Sequence, residues 1–298
     1  MLKTPILLLL YNRPSLTEKM FQSVRNAKPT DLYVAADGPK AGNNADSKRC
    51  QETRQITEKI DWKCNVKRLY RKENLGLKAS VYGAVSWFFE NVSQGIILED
   101  DCVPNASFYT FCEQMLEKYK NNENIIHIGG SNFLPHRMQR KNGYYFSKYS
   151  QVWGWATWRK AWKKMDYKMS KWKDFEKSEE YNRLFPYLWE KVYWRIMANA
   201  VIKEKINSWA YRWQFTIWEN NAKAISPGVN LVKNIGLRSG THINTNVDVL
   251  ERDAKSISRK SVLLGDKFSL NADKYTMKNE YRISPLMDLA QWVYYLIR

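Results

Sequence analysis

Residues 95–101 combine a short apolar run with three consecutive acids, Glu99, Asp100 and Asp101. The run Gly-Ile-Ile-Leu has the length and composition of a buried strand in a sheet that is covered on both faces. The acids then stand at its carboxyl end, where open α/β sheets bind ligands. Adjacent carboxylates repel one another unless a cation shares the site, and their oxygens suit Mg²⁺ or Mn²⁺. The segment therefore predicts either a divalent metal that holds a diphosphate or a solvated acidic loop.

The first 130 residues alternate between strand-like and helix-like runs, which predicts βαβ units and a mostly parallel α/β sheet flanked by helices. Strands are expected at 5–11, 32–36, 66–70, 95–99 and 125–128, and helices at 14–26, 46–60, 76–90 and 105–120. Pro14 suits the first turn of a helix, and Asp37-Gly38-Pro39 is a turn signal. Polar and small residues stand at the strand–helix junctions, so ligand contacts should gather there.

Ten of the thirteen tryptophans lie within residues 153–218, interleaved with lysines. Trp155, Trp158 and Trp162 follow one another at roughly helical spacing, so we expect a helical, aromatic-rich half over residues 131–245. Core packing is the usual reason for such a stripe, while indole faces that line a cleft would also stack on a sugar. Both interpretations stay open for each tryptophan.

Lysine and arginine outnumber aspartate and glutamate by 48 to 30, a formal net charge of +18. Such an excess favours polyanionic partners, namely nucleic acid, anionic lipid headgroups or phosphorylated substrates. Cations are dense in the C-terminal extension 246–298, which ends in an amphipathic segment at 286–297. We expect this segment either to dock as a terminal helix on the core or to lie on an anionic membrane.

The N-terminal apolar run before Asn12 is too short to span a membrane and lacks a small-residue cleavage site, so it predicts a first buried strand. The four cysteines show no zinc-site or disulfide-framework spacing, and we expect reduced thiols. Together with the basic extension, these features predict a cytoplasmic protein that sits peripherally on the inner face of the cytoplasmic membrane.

Six short motifs, each weak alone, occur in order over roughly residues 5–245. They are Leu-Leu-Leu-Tyr-Asn-Arg-Pro at 8–14, Ala-Asp-Gly-Pro at 36–39, Glu-Asn-Leu-Gly-Leu-Lys at 73–78, Leu-Glu-Asp-Asp at 98–101, Val-Trp-Gly-Trp at 152–155, and Asn-Ile-Gly to Gly-Thr-His at 234–242. Together they make the chain resemble nucleotide-sugar-dependent glycosyltransferases of the GT-A fold, more narrowly bacterial sugar transferases akin to the N-acetylglucosaminyltransferase I family. The resemblance implies a GT-A (Rossmann-like) domain over 1–245, with a nucleotide-sugar-binding half at 1–130 and an acceptor half at 131–245. The extension lies outside the resemblance.

The resemblance also implies a reaction, in which Mn²⁺ or Mg²⁺ helps to transfer a sugar from a nucleotide diphosphate sugar, expected to be a UDP-sugar. Asp101 would be the direct metal ligand, and His242 would complete the metal or diphosphate site. Glu99 and Asp100 would hold ribose or metal-bound water. Further residues expected at the nucleotide sugar are Tyr11, Asn12, Arg13, Asp37, Asn74, Gly76 and Lys78. The tryptophans expected at the acceptor are Trp153, Trp155, Trp209 and Trp213.

Several of these residues have an ordinary structural interpretation as well. Arg13 would meet phosphate or base, or it is a surface cation. Asp37 would accept a hydrogen bond from the base ring, or it is a turn residue. Asn74 and Gly76 begin a helix whose free N–H groups suit the nucleotide, or they simply cap it. A lone histidine such as His242 is more often structural, although its motif favours a ligand.

Position 210 interrupts a further motif. Residues 209–213 read Trp-Ala-Tyr-Arg-Trp, whereas the family that the chain resembles has Trp-Asp-Tyr-x-Trp. That aspartate would be the general base of an inverting displacement, and Ala210 cannot accept a proton. Because the flanking motifs are intact, we favour an inactivated variant. The alternative is a base elsewhere, with Glu219 as a weak substitute.

Two other functions fit parts of the sequence. A sugar nucleotidyltransferase shares the sheet and the metal acids, but such enzymes usually begin with a Gly-rich loop, which Leu-Tyr-Asn-Arg-Pro is not. A basic nucleic-acid-binding protein fits the charge, yet no RNA or DNA module is recognisable and the acids would repel a phosphate backbone. We therefore expect a hexosyl- or N-acetylhexosaminyltransferase of cell-surface polysaccharide or glycoconjugate synthesis. Its partners would be a UDP-sugar, a glycan or lipid-linked acceptor and an anionic membrane, and not nucleic acid.

Overall fold

The computed structural model describes residues 1–236 and 253–281. Their strands are β1 (Ile6–Leu10), β2 (Asp31–Ala36), β3 (Asn65–Tyr70), β4 (Gln94–Glu99), β5 (Cys102–Pro104), β6 (Ile125–Gly129), β7 (Gly143–Ser147), β8 (Trp155–Trp158), β9 (Lys223–Pro227), β10 (Val232–Asn234) and β11 (Val262–Leu263). Their α-helices are α1 (Pro14–Ala27), α2 (Asn44–Ile56), α3 (Leu77–Asn91), α4 (Ala106–Lys118), α5 (Arg159–Trp162), α6 (Trp172–Phe175), α7 (Glu179–Leu184), α8 (Leu188–Ile202), α9 (Trp209–Glu219) and α10 (Asp266–Asn279).

Nine of these strands form one sheet in the order β11-β7-β9-β6-β8-β4-β1-β2-β3. Strands β4, β1, β2 and β3 run parallel, and β8 runs antiparallel between β4 and β6. On the far side, β9 is parallel to β6, β7 is antiparallel to β9, and β11 is parallel to β7. Strands β5 and β10 form a separate antiparallel pair. The predicted mostly parallel α/β sheet is thus confirmed.

Helices cover both faces of this sheet, which explains why the central strands are apolar throughout. All five residues of β1 are buried. Helix α1 packs against α2 and α4, whereas α3 packs against α5 and α9. The crossovers run outward from β2 to β3 and then back to β4, so right-handed connections place α2 and α3 on opposite faces.

The registers of the central strands position the predicted site. Leu10 at the end of β1 is opposite Ala36 at the end of β2, and Leu9 is opposite Glu99 at the end of β4. Parallel strands share a carboxyl edge, so the loops that follow β1, β2 and β4 leave the sheet side by side. Each expected strand and helix of the first 130 residues is present, within a few residues of its predicted bounds.

The half predicted to be helical contributes strands as well. Residues 155–158 form β8 rather than a helical turn, and α5 begins only at Arg159. The helix that we predicted from the spacing of Trp155, Trp158 and Trp162 is therefore wrong for residues 155–158. All four β8 side chains are buried, because this strand fills the space between β4 and β6. Large aromatic side chains suit such a central strand.

Part of the C-terminal extension is packed onto the sheet. Strand β11 extends the edge beside β7, and α10 packs on β7. Asp273 of α10 accepts hydrogen bonds from the Ser147 hydroxyl and from the Lys148 N–H. The boundary predicted at residue 245 and the segment 286–297 lie outside the described residues. Within residues 1–236 and 253–281, no helix has the length and apolar character needed to cross a bilayer.

Candidate functional site

Three acids at the carboxyl end of β4 are accompanied by one arginine. The Nη1 atom of Arg13 lies 3.4 Å from Asp100 Oδ1 and 3.1 Å from Asp101 Oδ2. The side chains of Asp100 and Asp101 are 10% and 15% exposed. Among the described residues, full ionisation would set three negative charges against this one positive charge, which is costly for side chains that are largely buried. The structure thus brings Arg13 together with the acids, while its contact with phosphate or base stays a prediction.

Burial and mutual repulsion both oppose ionisation of this group. Burial raises the pKa of Glu99 to about 8, the charges of Asp101 and Asp100 add to the shift, and Arg13 opposes it. Burial also raises the pKa of Asp100 to about 7, with Asp101 adding to the shift and Arg13 opposing it. A bound divalent cation would favour the ionised forms, because it supplies the positive charge that the cluster is short of.

Asp101 is also held by the chain that follows β10. The Asn234 side-chain amide lies 3.4 Å from Asp101 Oδ1, and the Ile235 N–H donates to the Asp101 carbonyl at 2.9 Å. Gly236 passes so close that a Cβ atom there would be 2.3 Å from Asp101 Oδ2. This close approach explains why the motif needs a glycine. His242 follows within six residues and lies outside the described residues.

The Asp37 carboxylate joins the turn after β2 to the start of α3. Its Oδ1 accepts hydrogen bonds from the N–H groups of Gly38 and Leu75, at 2.9 and 3.0 Å. Its Oδ2 accepts from the Gly76 N–H at 3.1 Å and the Asn74 amide at 3.2 Å. These four donors match the roughly four acceptor positions of a carboxylate. A nucleotide base that bound Asp37, as predicted, would have to displace one of them.

Asp46, which the sequence analysis did not select, fixes the loop after β1. It accepts hydrogen bonds from the Tyr11 hydroxyl at 2.7 Å, from the Lys40 N–H at 2.8 Å and from the Asn12 amide. Burial alone would raise the pKa of Asp46, but these hydrogen bonds outweigh it and the pKa is lowered. The available signal was the cap of α2, where the Asn43 side chain accepts from the Asp46 N–H at 2.9 Å.

Lys78 lies in a charged network with the second half of the chain. Its ammonium group pairs with Glu204 and lies 5.7 Å from the ring centre of Tyr167. Glu204 also pairs with Arg212 at 2.8 Å. Arg212 is buried and donates to the carbonyls of Tyr167 and Val201 at 2.8 and 3.0 Å. The network joins the first turn of α3 to α9, and the contact of Lys78 with the nucleotide stays a prediction.

Three of the four tryptophans predicted at the acceptor lie in the core. Trp155, Trp209 and Trp213 are 0%, 2% and 0% exposed. Trp155 stacks on Trp209 and on His127, with ring centres 5.5 and 5.3 Å apart. The Trp213 indole donates to His127 Nδ1 at 3.1 Å. Other rings cover these faces, so the acceptor role does not fit these three residues. Trp153, which is half-buried, keeps that role as a prediction.

Positions 210 and 219 lie toward opposite ends of α9. At 1.5 Å per residue the two positions are about 13 Å apart along the helix. Glu219 precedes β9, whose first residue Lys223 pairs with Ile125 at the start of β6. Strand β6 runs in the same direction as β4, so Glu219 lies toward the amino edge of the sheet. The suggestion that Glu219 replaces the missing base is therefore not compatible with a reaction at the carboxyl edge.

The acids also bear on metal binding. In the part of the chain that the structure describes, no three His, Cys, Asp or Glu side chains converge as a ligand set. The predicted site is of another kind, since one carboxylate would share the ion with phosphate oxygens and water. The residues fit such an ion, because the donors are hard oxygens and the cluster has an excess of negative charge. Asp101 is the residue that would hold it.

Comparisons with known proteins give distant similarities only. A scan against protein-family models and a search of curated proteins found no match. Among solved structures, mouse xyloside xylosyltransferase 1 in its apo form is 9% identical with a TM-score of 0.39, over 90% of this chain and 98% of that chain. HddC from Yersinia pseudotuberculosis is 8% identical with a TM-score of 0.32, over 53% of this chain and 77% of that chain. The same protein complexed with GMP-PN gives 8% and 0.31 over the same shares. Similarities this weak do not indicate a shared activity.

Proposed function

We propose that this protein is a metal-dependent glycosyltransferase of the GT-A type, which transfers a sugar from a nucleotide diphosphate sugar to a glycan or lipid-linked acceptor. The observation that carries the proposal is the placement of Glu99, Asp100 and Asp101 with Arg13 at the shared carboxyl edge. Among the described residues, Arg13 is the one cation that contacts these carboxylates, so their negative charge exceeds the positive charge beside them. A divalent cation between the carboxylates and a diphosphate would reduce the repulsion on both sides.

Each group at the edge has a role in this reaction. Asp101 would hold Mn²⁺ or Mg²⁺, and the ion when bound supplies Lewis-acid stabilisation of the leaving nucleoside diphosphate. Arg13 lies against the same carboxylate and would donate to phosphate oxygens through its remaining N–H groups. Asp46 fixes the loop that carries Tyr11 and Asn12, which would orient the base and ribose. UDP is the proposed nucleotide, and a hexose or N-acetylhexosamine the proposed sugar.

Acceptor activation would take place at the amino end of α9. An aspartate at position 210 would take the proton from the acceptor hydroxyl as that oxygen attacks the anomeric carbon with inversion. Ala210 cannot do so, and we propose that this chain binds its donor but transfers the sugar slowly. Trp153 would line the acceptor side. The product would belong to a cell-surface polysaccharide or another glycoconjugate.

Calorimetric titration with UDP, in the presence and absence of Mn²⁺, tests the proposal. The parent chain should bind UDP only with the divalent cation, and Asp101→Ala should lose that binding while its circular dichroism is retained. Asp61→Ala is the matched control, because Asp61 is an exposed acid that pairs with Arg25 far from the acidic edge. Equal Mn²⁺–UDP binding by Asp101→Ala and the parent would contradict the metal site.

A panel of sugar nucleotides then identifies the donor. Release of nucleoside diphosphate from one sugar nucleotide, dependent on an acceptor, is the expected result. Formation of a sugar nucleotide from a sugar phosphate and a nucleoside triphosphate, with release of pyrophosphate, would instead assign the chain as a nucleotidyltransferase.

A further inference from the structure

The outer surface of α10 and of the turn before it combines cations with exposed aliphatic side chains. Val262, Leu263 and Leu270 are 55%, 44% and 70% exposed. Exposed cations surround them in the sequence. We use the term basic face for the exposed cations and aliphatic residues of this segment, which are Arg259, Lys260, Val262, Leu263, Lys267, Leu270, Lys274 and Lys278.

The cations of the basic face outnumber the exposed acid of this segment, Asp266 in the first turn of α10. None of the five forms a salt bridge within residues 1–236 and 253–281. Asp273 on the same helix is directed inward, where Ser147 and the Lys148 N–H donate to it. Asp253 pairs with Lys233 instead. The face therefore presents a net positive potential to the solvent.

Helix α10 holds this face in a fixed orientation. Lys267, Leu270, Lys274 and Lys278 are spaced by three, four and four residues, so they follow one side of the helix. The opposite side is anchored, since Ala272 is fully buried in a cluster with residues of the 134–145 region. The helix therefore presents three lysines and one leucine to the solvent.

Protection of the sheet edge, binding of nucleic acid and self-association each account for only part of the basic face. Charged residues protect an exposed edge strand such as β11 from pairing with other chains, but that role does not require exposed Val262 and Leu263. A nucleic acid would use the cations and leave Leu270 without a partner. A second copy of the chain would bring equal charges together. An interface of anionic lipid headgroups matches both the charge and the aliphatic side chains.

We propose that the basic face lies on an anionic membrane. Its ammonium and guanidinium groups would contact lipid phosphates, and Leu270 would enter the boundary between headgroups and acyl chains. This surface is separate from the segment 286–297. The proposal does not depend on sugar transfer, so vesicle binding and Mn²⁺–UDP binding fail or succeed independently.

Co-sedimentation of the full chain with vesicles tests the electrostatic part. Vesicles of phosphatidylcholine mixed with phosphatidylglycerol are compared with vesicles of phosphatidylcholine alone. The triple variant Lys267→Gln/Lys274→Gln/Lys278→Gln should bind the anionic vesicles on the order of a hundredfold more weakly at low salt, since each lysine contributes about fivefold. The control Lys19→Gln/Lys48→Gln/Lys63→Gln removes equal charge from exposed positions on the β1–β3 side and should bind like the parent.

A second pair of variants tests the aliphatic part. Leu270→Ser should weaken binding about tenfold. Leu188→Ser is its control, because Leu188 is 71% exposed, almost the same as Leu270. Equal binding to neutral vesicles, equal loss in both lysine triples, or equal effects of the two serine variants would overturn the proposal. It would also be overturned if the lysine triple left vesicle binding unchanged but weakened binding to RNA.

Discussion

Two buried acidic clusters in this molecule handle their charge in different ways. Glu190 is fully buried, and it accepts hydrogen bonds from the Lys148 ammonium group and the Tyr149 hydroxyl, both at 2.7 Å. At the carboxyl edge, by contrast, Asp100 and Asp101 share Arg13, at 3.4 and 3.1 Å, and the Glu99 carboxylate adds a third acid. An acid that is paired with its own cation leaves no net charge, whereas acids with more negative than positive charge around them are available to a cationic ligand.

The matched cluster consists of Lys148, Tyr149, Glu190 and Asp273, and its role is structural. Lys148 follows β7 directly, Glu190 lies on α8 and Asp273 on α10, so the cluster joins three elements of the second half. The carbonyl of Lys148 also accepts from Gln214 and from the Trp218 indole, at 2.8 and 2.7 Å. One carboxylate is paired here with one ammonium group, although Glu190 Oε2 has no hydrogen-bond partner in the described part of the chain.

The largest effect is expected from breaking the matched cluster. Lys148→Met leaves Glu190 buried without its cation, which should lower the free energy of unfolding by about 3–5 kcal/mol. Urea denaturation measures the change, and Mn²⁺ with UDP should not rescue the variant selectively. Lys48→Met, at an exposed position on α2, is the control and should stay within about 0.5 kcal/mol. A loss below that of ordinary surface variants would show that the cluster is not structural.

The next largest effect concerns position 210 on α9, where alanine stands in place of the expected general base. Ala210→Asp should raise turnover by about a hundredfold or more, because a general base typically contributes that much while donor binding is unchanged. Release of nucleoside diphosphate from the donor that the panel identifies measures turnover. Ala210→Asn is the matched control, since it has nearly the same shape and cannot take a proton. Equal rates for the two variants, or fast turnover with Ala210, would exclude position 210 as the base.

A smaller change in the free energy of unfolding should differ in sign between the two clusters. Without a divalent cation, Asp101→Asn removes one of the crowded charges and should leave the protein as stable or up to about 1 kcal/mol more stable. Asp273→Asn replaces one of the two carboxylate oxygens that accept hydrogen bonds from Ser147 and the Lys148 N–H, and it should cost about 1–2 kcal/mol. Both changes are read from urea denaturation at neutral pH. Destabilisation of the same size in both variants would remove the distinction.

The sequence alone was sufficient to predict those elements and site residues whose signals are local. Apolar runs and turn residues located nine of the first ten elements, and the acids after β4 followed from the strand alone. The spacing of Trp155 to Trp162 misled, because a strand that leads directly into a short helix produces the same spacing as a helix. Periodicity also cannot show which indole faces the core covers.

Contacts between distant segments were beyond prediction for a different reason. Asp46 and Tyr11 are 35 residues apart, and Lys78 and Glu204 are 126 apart. Such partners depend on how the helices pack, and no local pattern records that packing. The resemblance supplied roles for Asp37 and Lys78, but it did not supply the hydrogen bonds that they make in this chain.

Glu219 tests the comparison between the two acidic clusters most closely. This acid has no hydrogen-bond donor in the described part of the chain, and it lies away from the carboxyl edge. Neither carboxylate oxygen has a hydrogen-bond partner in the described part of the chain. Burial raises the pKa of Glu219 from 4.5 to about 8, with Asp166 adding to the shift and Lys171 opposing it. The folded state thus holds a proton that the unfolded chain releases above pH 4.5, so stability should fall as the pH rises toward 8.

Glu219→Gln imitates the protonated side chain and should flatten this fall. Because part of the side chain is open to solvent, we expect a gain on the order of 1 kcal/mol at pH 9 and almost none at pH 5. Urea denaturation at the two pH values gives the difference, and Glu123→Gln, at an exposed position, controls for removal of one negative charge. A gain confined to high pH would mean that a missing donor alone does not mark a ligand site, and that the acids after β4 are distinguished by their edge and by Arg13. An equal change at both pH values would mean that Glu219 is charged in the folded protein, and a cation bound at the amino edge would then have to be sought by titration with Mn²⁺ alone.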